Sequence, residues 1–158
     1  MLRGVSLRLP TVYGAGPGPH GNGVVTSMVR RALAGEPLPV WNEGSVERDL
    51  LHVRDAARAF AACLDRAQAL AGRHWVVGTG RPVRVADLFG AVARSVAAHT
   101  GAPRVPVVSV AAPATATAAD ARGTVIDASA FRAVTGWRPR QSLPGALDEL
   151  VATLAGHG

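Results

Sequence analysis

The stretch Arg48-Asp49-Leu50-Leu51-His52-Val53-Arg54-Asp55 constrains the fold of this chain more than any other. Read as extended backbone, it sends Arg48, Leu50 and His52 to one side and Asp49 and Leu51 to the other, because strand side chains alternate. One face is therefore polar at both ends. Asp55 stands at the entrance of a helical run over residues 55–64, where its carboxylate can accept hydrogen bonds from the unpaired amides of a first turn. The strand ends where the helix begins. A guanidinium held just before such a junction is suited to grip a phosphate or carboxylate with two parallel hydrogen bonds, which a lysine cannot do. A surface pair between Arg48 and Asp49, or a solvated strand edge, fits the same spacing.

Charge narrows the chemistry. The net charge is +6, and all 17 basic residues are arginine. With no lysine, the chain has no Schiff-base chemistry, no Walker-type phosphate loop and no tyrosine–lysine pair. The arginines are scattered and aromatics are only 4%, so no stacking platform lies between basic residues. An anionic small molecule fits this pattern better than nucleic acid. No apolar run approaches the ~20 residues that cross a bilayer, and a soluble, cytoplasmic protein is expected, with no membrane partner. The single cysteine, Cys63, falls on the apolar side of a helix, which excludes an intrachain disulfide and a cysteine-based metal site. No metal ligands are assigned.

At 158 residues and 48% hydrophobic, the chain is long enough for one core. Residues 4–14 read as an apolar strand, with Pro10 marking where its ladder must stop. Such a strand wants neighbours on both sides, and nothing precedes it, which suggests part of something larger. Residues 14–23 form a glycine–proline loop containing a formal G-x-G-x-x-G from Gly16 to Gly21. Pro17 and Pro19 remove amides that a pyrophosphate would need, and the following helix starts too late, so the loop is not a dinucleotide fingerprint. It reads as a substrate-covering loop or a plain connector, with His20 solvated in it.

A helix follows over residues 24–35, with Arg30 and Arg31 on its wet face. Residues 38–41 make an edge strand, since Pro39 bars a central place, and residues 42–45 make a turn. Residues 72–80 read as a buried strand ending on a glycine pair, with His74 structural. Residues 85–99 form a helix burying Leu88, Phe89, Val92 and Val96, with Gly101 beyond its end. Residues 105–110 are an edge strand and residues 111–119 a loose surface connection. Asp127 can cap a short helix over residues 128–135 that Gly136 stops, and Ser142 starts a final helix through Leu154.

Five motifs in order carry a resemblance: Leu7-Arg8-Leu9-Pro10-Thr11-Val12-Tyr13-Gly14, Ala32-Leu33-Ala34-Gly35-Glu36-Pro37-Leu38, the Arg48–Asp55 stretch, Val77-Gly78-Thr79-Gly80 and Gly136-Trp137-Arg138-Pro139. Together they resemble the C-terminal half of the extended short-chain dehydrogenase/reductases, the NAD-dependent epimerase/dehydratase family acting on nucleotide sugars. Residues 6–18, the Arg48 stretch and residues 130–137 look most similar to the NDP-4-keto-6-deoxyhexose 4-ketoreductases of deoxysugar antibiotic pathways.

The resemblance implies an α/β fold, the C-terminal part of a Rossmann-type enzyme, without its N-terminal cofactor half. Residues 1–14 would be a late Rossmann strand, and residues 15–158 a nucleotide-sugar domain interleaved with the remaining Rossmann elements. By matching position, Arg48 would hold the diphosphate and Thr11 would sit beside the sugar or phosphate. Tyr13 and Gly14 would close the edge of the cofactor cleft. Asp120 and Arg122 match a further substrate-contacting segment, and a solvated turn fits them equally.

In the family, hydride passes from NADH or NADPH to the C4 ketone while a Tyr-x-x-x-Lys tyrosine donates the proton. This chain has only Tyr13, with Pro17 four residues on, so no catalytic residue is assigned and the chain alone is not expected to catalyse. Thr11 and Val76 replace asparagines common in the epimerases and dehydratases, which leans toward the reductase branch. The implied partner is a dTDP-linked sugar, with a separate N-terminal half or a second copy of the chain. Three functions remain open: the substrate half of a 4-ketoreductase, a part of an epimerase or dehydratase, and a non-catalytic nucleotide-sugar binding module.

Overall fold

The computed structural model describes residues 4–16 and 23–156. His20 and most of the expected loop lie outside them. In chain order the elements are β1 (Ser6–Arg8), β2 (Thr11–Tyr13), α1 (Val24–Leu33), β3 (Leu38–Trp41), β4 (Glu47–Arg48), β5 (Leu50–His52), α2 (Val53–Asp65), α3 (Ala67–Leu70), β6 (His74–Val76), β7 (Val83–Arg84), α4 (Val85–Thr100), β8 (Val107–Val110), α5 (Ser129–Thr135) and α6 (Leu143–Ala155). Three strand pairs are parallel, β1 with β6, β2 with β5 and β3 with β8, while β4 and β7 pair antiparallel. This is an α/β fold whose parallel pairs are joined through helices.

The alternation expected around Arg48 decides where the core lies. Leu50 and Leu51 point to opposite faces of β5 and enter two different hydrophobic clusters. Leu50 joins the cluster built from α1, α4 and α6, including Val29, Leu38, Phe89, Val92, Leu147 and Leu150. Leu51 joins the other, where Ala59, Leu70, Trp75, Val77, Phe131 and Trp137 meet. Phe131 sits edge-on between Trp75 and Trp137, with ring centroids 6.3 and 5.9 Å away, a geometry that adds to the area each ring buries.

The strand expected over residues 4–14 is two strands. Pro10 ends the ladder of β1, having no N–H to give it, and Thr11 then opens a new ladder with β5. The strand expected over residues 72–80 is shorter, β6 alone, flanked by exposed Gly72 and Arg73. The two expected glycine stops hold: Gly101 and Gly136 close α4 and α5 in the left-handed conformation, at φ 72° and 71°. Ser142 caps α6 by accepting the Gly145 N–H, whereas α5 starts at Ser129 after Ala128, so Asp127 stands one residue outside the cap position and its carboxylate accepts the Ser129 N–H at 2.9 Å. Cys63 is buried, and burial pushes its thiol pKa up, as an inert core cysteine requires.

The largest local correction concerns Asp55. Helix α2 begins two residues earlier, at Val53, and its cap is His52, whose Nδ1 accepts the Arg54 N–H at 3.3 Å. Asp55 lies inside the first turn, wholly buried, and binds a distant segment: its carboxylate accepts the N–H of Arg140 at 3.0–3.1 Å and of Gln141 at 3.0 Å, and pairs with Arg58 at 2.6 Å. No helix among the described residues is long and apolar enough to cross a membrane.

Candidate functional site

Against the first cluster, beside Arg48 of β4 and Leu50 of β5, lies a cavity of about 380 Å³. Its polar lining includes Thr11 from β2, Arg48 from β4 and Asp120 from the connection after β8. Its apolar lining includes Met28, Val40, Trp41, Val85, Leu88 and Phe89. Three of the four residues assigned to substrate thus border one space. Arg122, the fourth, contributes only its backbone: its carbonyl accepts from the Arg48 guanidinium, as do those of Asp120 at 2.7 Å and Glu47 at 3.4 Å.

The Arg48–Asp49 surface pair is ruled out by what each side chain does. Asp49 is wholly buried on the opposite face, where its carboxylate accepts Thr79 N–H at 2.9 Å, Thr79 O–H at 2.6 Å, Gly80 N–H at 2.8 Å and Ile126 N–H at 3.3 Å. Arg48 bonds neutral carbonyls, which fix the guanidinium plane without cancelling its charge. The segment it grips runs beside β4, with Asp49 N–H on Thr124 O and Thr124 N–H on Glu47 O.

The connection over residues 111–119 is, as expected, an exposed segment without helix or strand, and it also walls the cavity. Ala112, Ala116 and Thr117 line the cavity, and Thr117 donates both its N–H and its hydroxyl to the Asp120 carboxylate at 2.7 and 2.8 Å. Those bonds hold the Asp120 carboxyl below the usual carboxylate range, with the nearby Arg48 charge adding to them. Trp41 is the lining residue the sequence reading passed over. Strand alternation carried the signal, since Trp41 and Pro39 share the face opposite the fully buried Leu38.

Tyr13 and Gly14 face elsewhere. Tyr13 is buried edge-on against His52, with centroids 5.3 Å apart, and burial, with the Asp55 charge adding, pushes its hydroxyl pKa up to about 12. It holds its proton near neutrality. A Cβ on Gly14, at φ +126°, would lie 2.7 Å from His52 Nε2 and 2.9 Å from Val53, so the glycine makes room for the start of α2. Among the described residues, no three His, Cys, Asp or Glu side chains group as metal ligands.

His52 gives the stability of the fold a pH dependence. Burial, and then the Arg54 charge, lower its pKa from an ordinary value of 6.5, outweighing Asp55 and Glu149, which raise it. A group whose folded pKa is depressed is protonated more readily when unfolded, so its stabilisation is complete above about 6.5 and is lost as pH falls through the lowered folded value. The stability of His52→Asn, which still offers the cap an acceptor but cannot titrate, should fall less between pH 7 and pH 5 than that of the parent. Equal losses in urea titrations at the two pH values would exclude His52 as the titrating group.

The family model described as "NAD dependent epimerase/dehydratase family" matches residues 1–78, which hold Thr11, Arg48 and the whole organising stretch. The chain belongs to this family. The dTDP-L-rhamnose 4-epimerase of Burkholderia thailandensis is 34% identical over 151 residues, 94% of this chain and 39% of its own length. The dTDP-4-dehydro-6-deoxy-D-allose reductase of Streptomyces bikiniensis is 39% identical over 61 residues, 37% of this chain and 19% of its own. Among solved structures, the UDP-glucose 4-epimerase of Thermotoga maritima with UDP-glucose superposes with a TM-score of 0.82 and 27% identity, over 99% of this chain and 47% of its own. The fold is the α/β, Rossmann-like fold of the extended short-chain dehydrogenase/reductases. The chain spans about two fifths of the length of the epimerase relative it matches along most of its own length.

Proposed function

We propose that this chain forms the nucleotide-sugar pocket of an NAD(P)-dependent 4-ketoreductase that acts on a dTDP-linked 4-keto-6-deoxyhexose in deoxysugar antibiotic biosynthesis. The observation that carries the reading is the joint placement of Thr11, Arg48 and Asp120 on one largely apolar cavity. Three backbone carbonyls orient the Arg48 guanidinium, so its remaining N–H groups can meet a diphosphate with little further ordering cost. Trp41 and Phe89 offer faces for a base or sugar ring. Thr11 supplies a hydroxyl beside the phosphate or sugar, and Arg122 acts through the carbonyl that steadies Arg48. The dinucleotide, NAD or NADP, supplies hydride chemistry in a complete enzyme. This chain's own residues bind and orient the substrate and exclude water from it.

Arg48→Lys should weaken binding of a thymidine diphosphate about tenfold, the loss of one charge-assisted hydrogen bond, while Arg30→Lys on the exposed face of α1 should leave it unchanged. Calorimetry on the two variants decides: equal affinities would remove Arg48 from the pocket. A 4-epimerase is the second reading, favoured by the longer match to the dTDP-L-rhamnose 4-epimerase. An epimerase returns the hydride to the sugar, so net NADPH oxidation by a complete enzyme separates the two.

A further inference from the structure

A second cleft, of about 920 Å³, opens beside the first, and among the described residues only Leu50 lines both. Its lining carries four arginines, Arg81, Arg132, Arg138 and Arg140, against one acid, Asp127. Among the described residues Asp127 forms an ion pair with Arg132 alone, at 4.0 Å, with its side chain 81% exposed. Among the described residues, Arg81, Arg138 and Arg140 take part in no ion pair. Like charges around one space repel, and an anion within it would relieve that repulsion.

The walls that carry these arginines are fixed from behind. Asp49 holds the backbone of Thr79 and Gly80, next to Arg81, and the N–H of Ile126, next to Asp127. Asp55 holds the amides of Arg140 and Gln141, and its partner Arg58 donates to the Arg138 carbonyl at 2.6 Å. Two wholly buried carboxylates therefore fix the backbone of these walls, while Arg81, Arg138 and Arg140 take part in no ion pair among the described residues. This is the arrangement of a pre-organised anion site, in which fixed supports leave the charged groups to a ligand.

We propose that this cleft is a binding site for a diphosphate group, separate from the pocket of Arg48. The recognised chemistry is the anionic phosphate chain itself, whether as inorganic pyrophosphate or as part of a nucleotide.

The test is calorimetry with inorganic pyrophosphate on the full 158-residue chain, on Arg48→Ala and on the double variant Arg138→Gln/Arg140→Gln. Both replaced arginines are exposed and contribute backbone, not side chain, to the bonds with Asp55 and Arg58, and unchanged thermal midpoints would verify that the variants fold. Pyrophosphate binding should persist in Arg48→Ala, which lacks the diphosphate contact proposed for the first pocket, and adding Arg138→Gln/Arg140→Gln should weaken what remains roughly tenfold or more. Thymidine diphosphate titrated into Arg48→Ala should show the same sensitivity to the two arginines. Loss of pyrophosphate binding in Arg48→Ala with none in the double variant, or no measurable binding to the parent chain, would overturn the site. Binding of thymidine diphosphate without pyrophosphate would overturn its assignment to the phosphates. Failure of Arg48→Lys to weaken nucleotide binding bears only on the first pocket.

Discussion

Asp49→Ala should lower the free energy of unfolding by roughly 3–5 kcal/mol, the range for stripping a buried charged group from its partners. The side chain is wholly buried and accepts four hydrogen bonds, three from backbone N–H groups and one from the Thr79 hydroxyl. Alanine leaves these donors facing a void, and each orphaned donor costs on the order of 1–3 kcal/mol, with some recovered through water. Asp49→Asn keeps one acceptor and should fall between the two. Urea midpoints with an unchanged slope give the measurement. A loss below 1 kcal/mol for the alanine variant would mean that the Thr79–Gly80 loop finds other acceptors.

Asp55→Ala should cost roughly 3 kcal/mol, and it should act at a distance. The carboxylate ties the first turn of α2 to the Arg140–Gln141 segment, and the Trp137 indole N–H reinforces the junction through the Asp55 carbonyl at 3.1 Å. Removing it frees two amides and leaves Arg58 with the Arg138 carbonyl alone. Hydrogen exchange at Arg140 and Gln141 should therefore accelerate well beyond that at Leu150, in the middle of α6. Because Arg58 is a third exposed while Asp55 is not, Arg58→Ala alone should cost less, and the pair of substitutions should cost less than their sum. Additive losses would mean that the ion pair contributes nothing to holding the junction.

How far the sequence predicts this structure depends on the range of the interaction. Features written in a local period were legible: the split of Leu50 and Leu51 to two faces, the buried stripe of α4, and the stops at Gly101 and Gly136. Thr11, Arg48 and Asp120 were legible as a group only through family motifs, since nothing in their spacing places β2 beside residue 120. The roles of Asp49 and Asp55 were not legible, and Asp55 was misread as a helix cap. A carboxylate early in a helix normally serves the nearest unpaired amides. Here His52 takes that place, and the acceptors of Asp55 go to amides 85 and 86 residues along the chain. Pro10 was read correctly as the end of one ladder, a local fact, but that Thr11 starts another depends on where β5 lies.

Those long reaches also bear on the order of events when the chain folds. Asp49 closes loops of 30 and 77 residues, and Asp55 closes loops of 85 and 86. Loop closure is paid before such contacts give any return, so they belong late in folding. The arginine-bearing walls set by these carboxylates come into register only when almost the entire chain is in place. A partly folded or nascent chain thus has the charges of the second cleft without their arrangement, and recognition of an anion there would report completed folding.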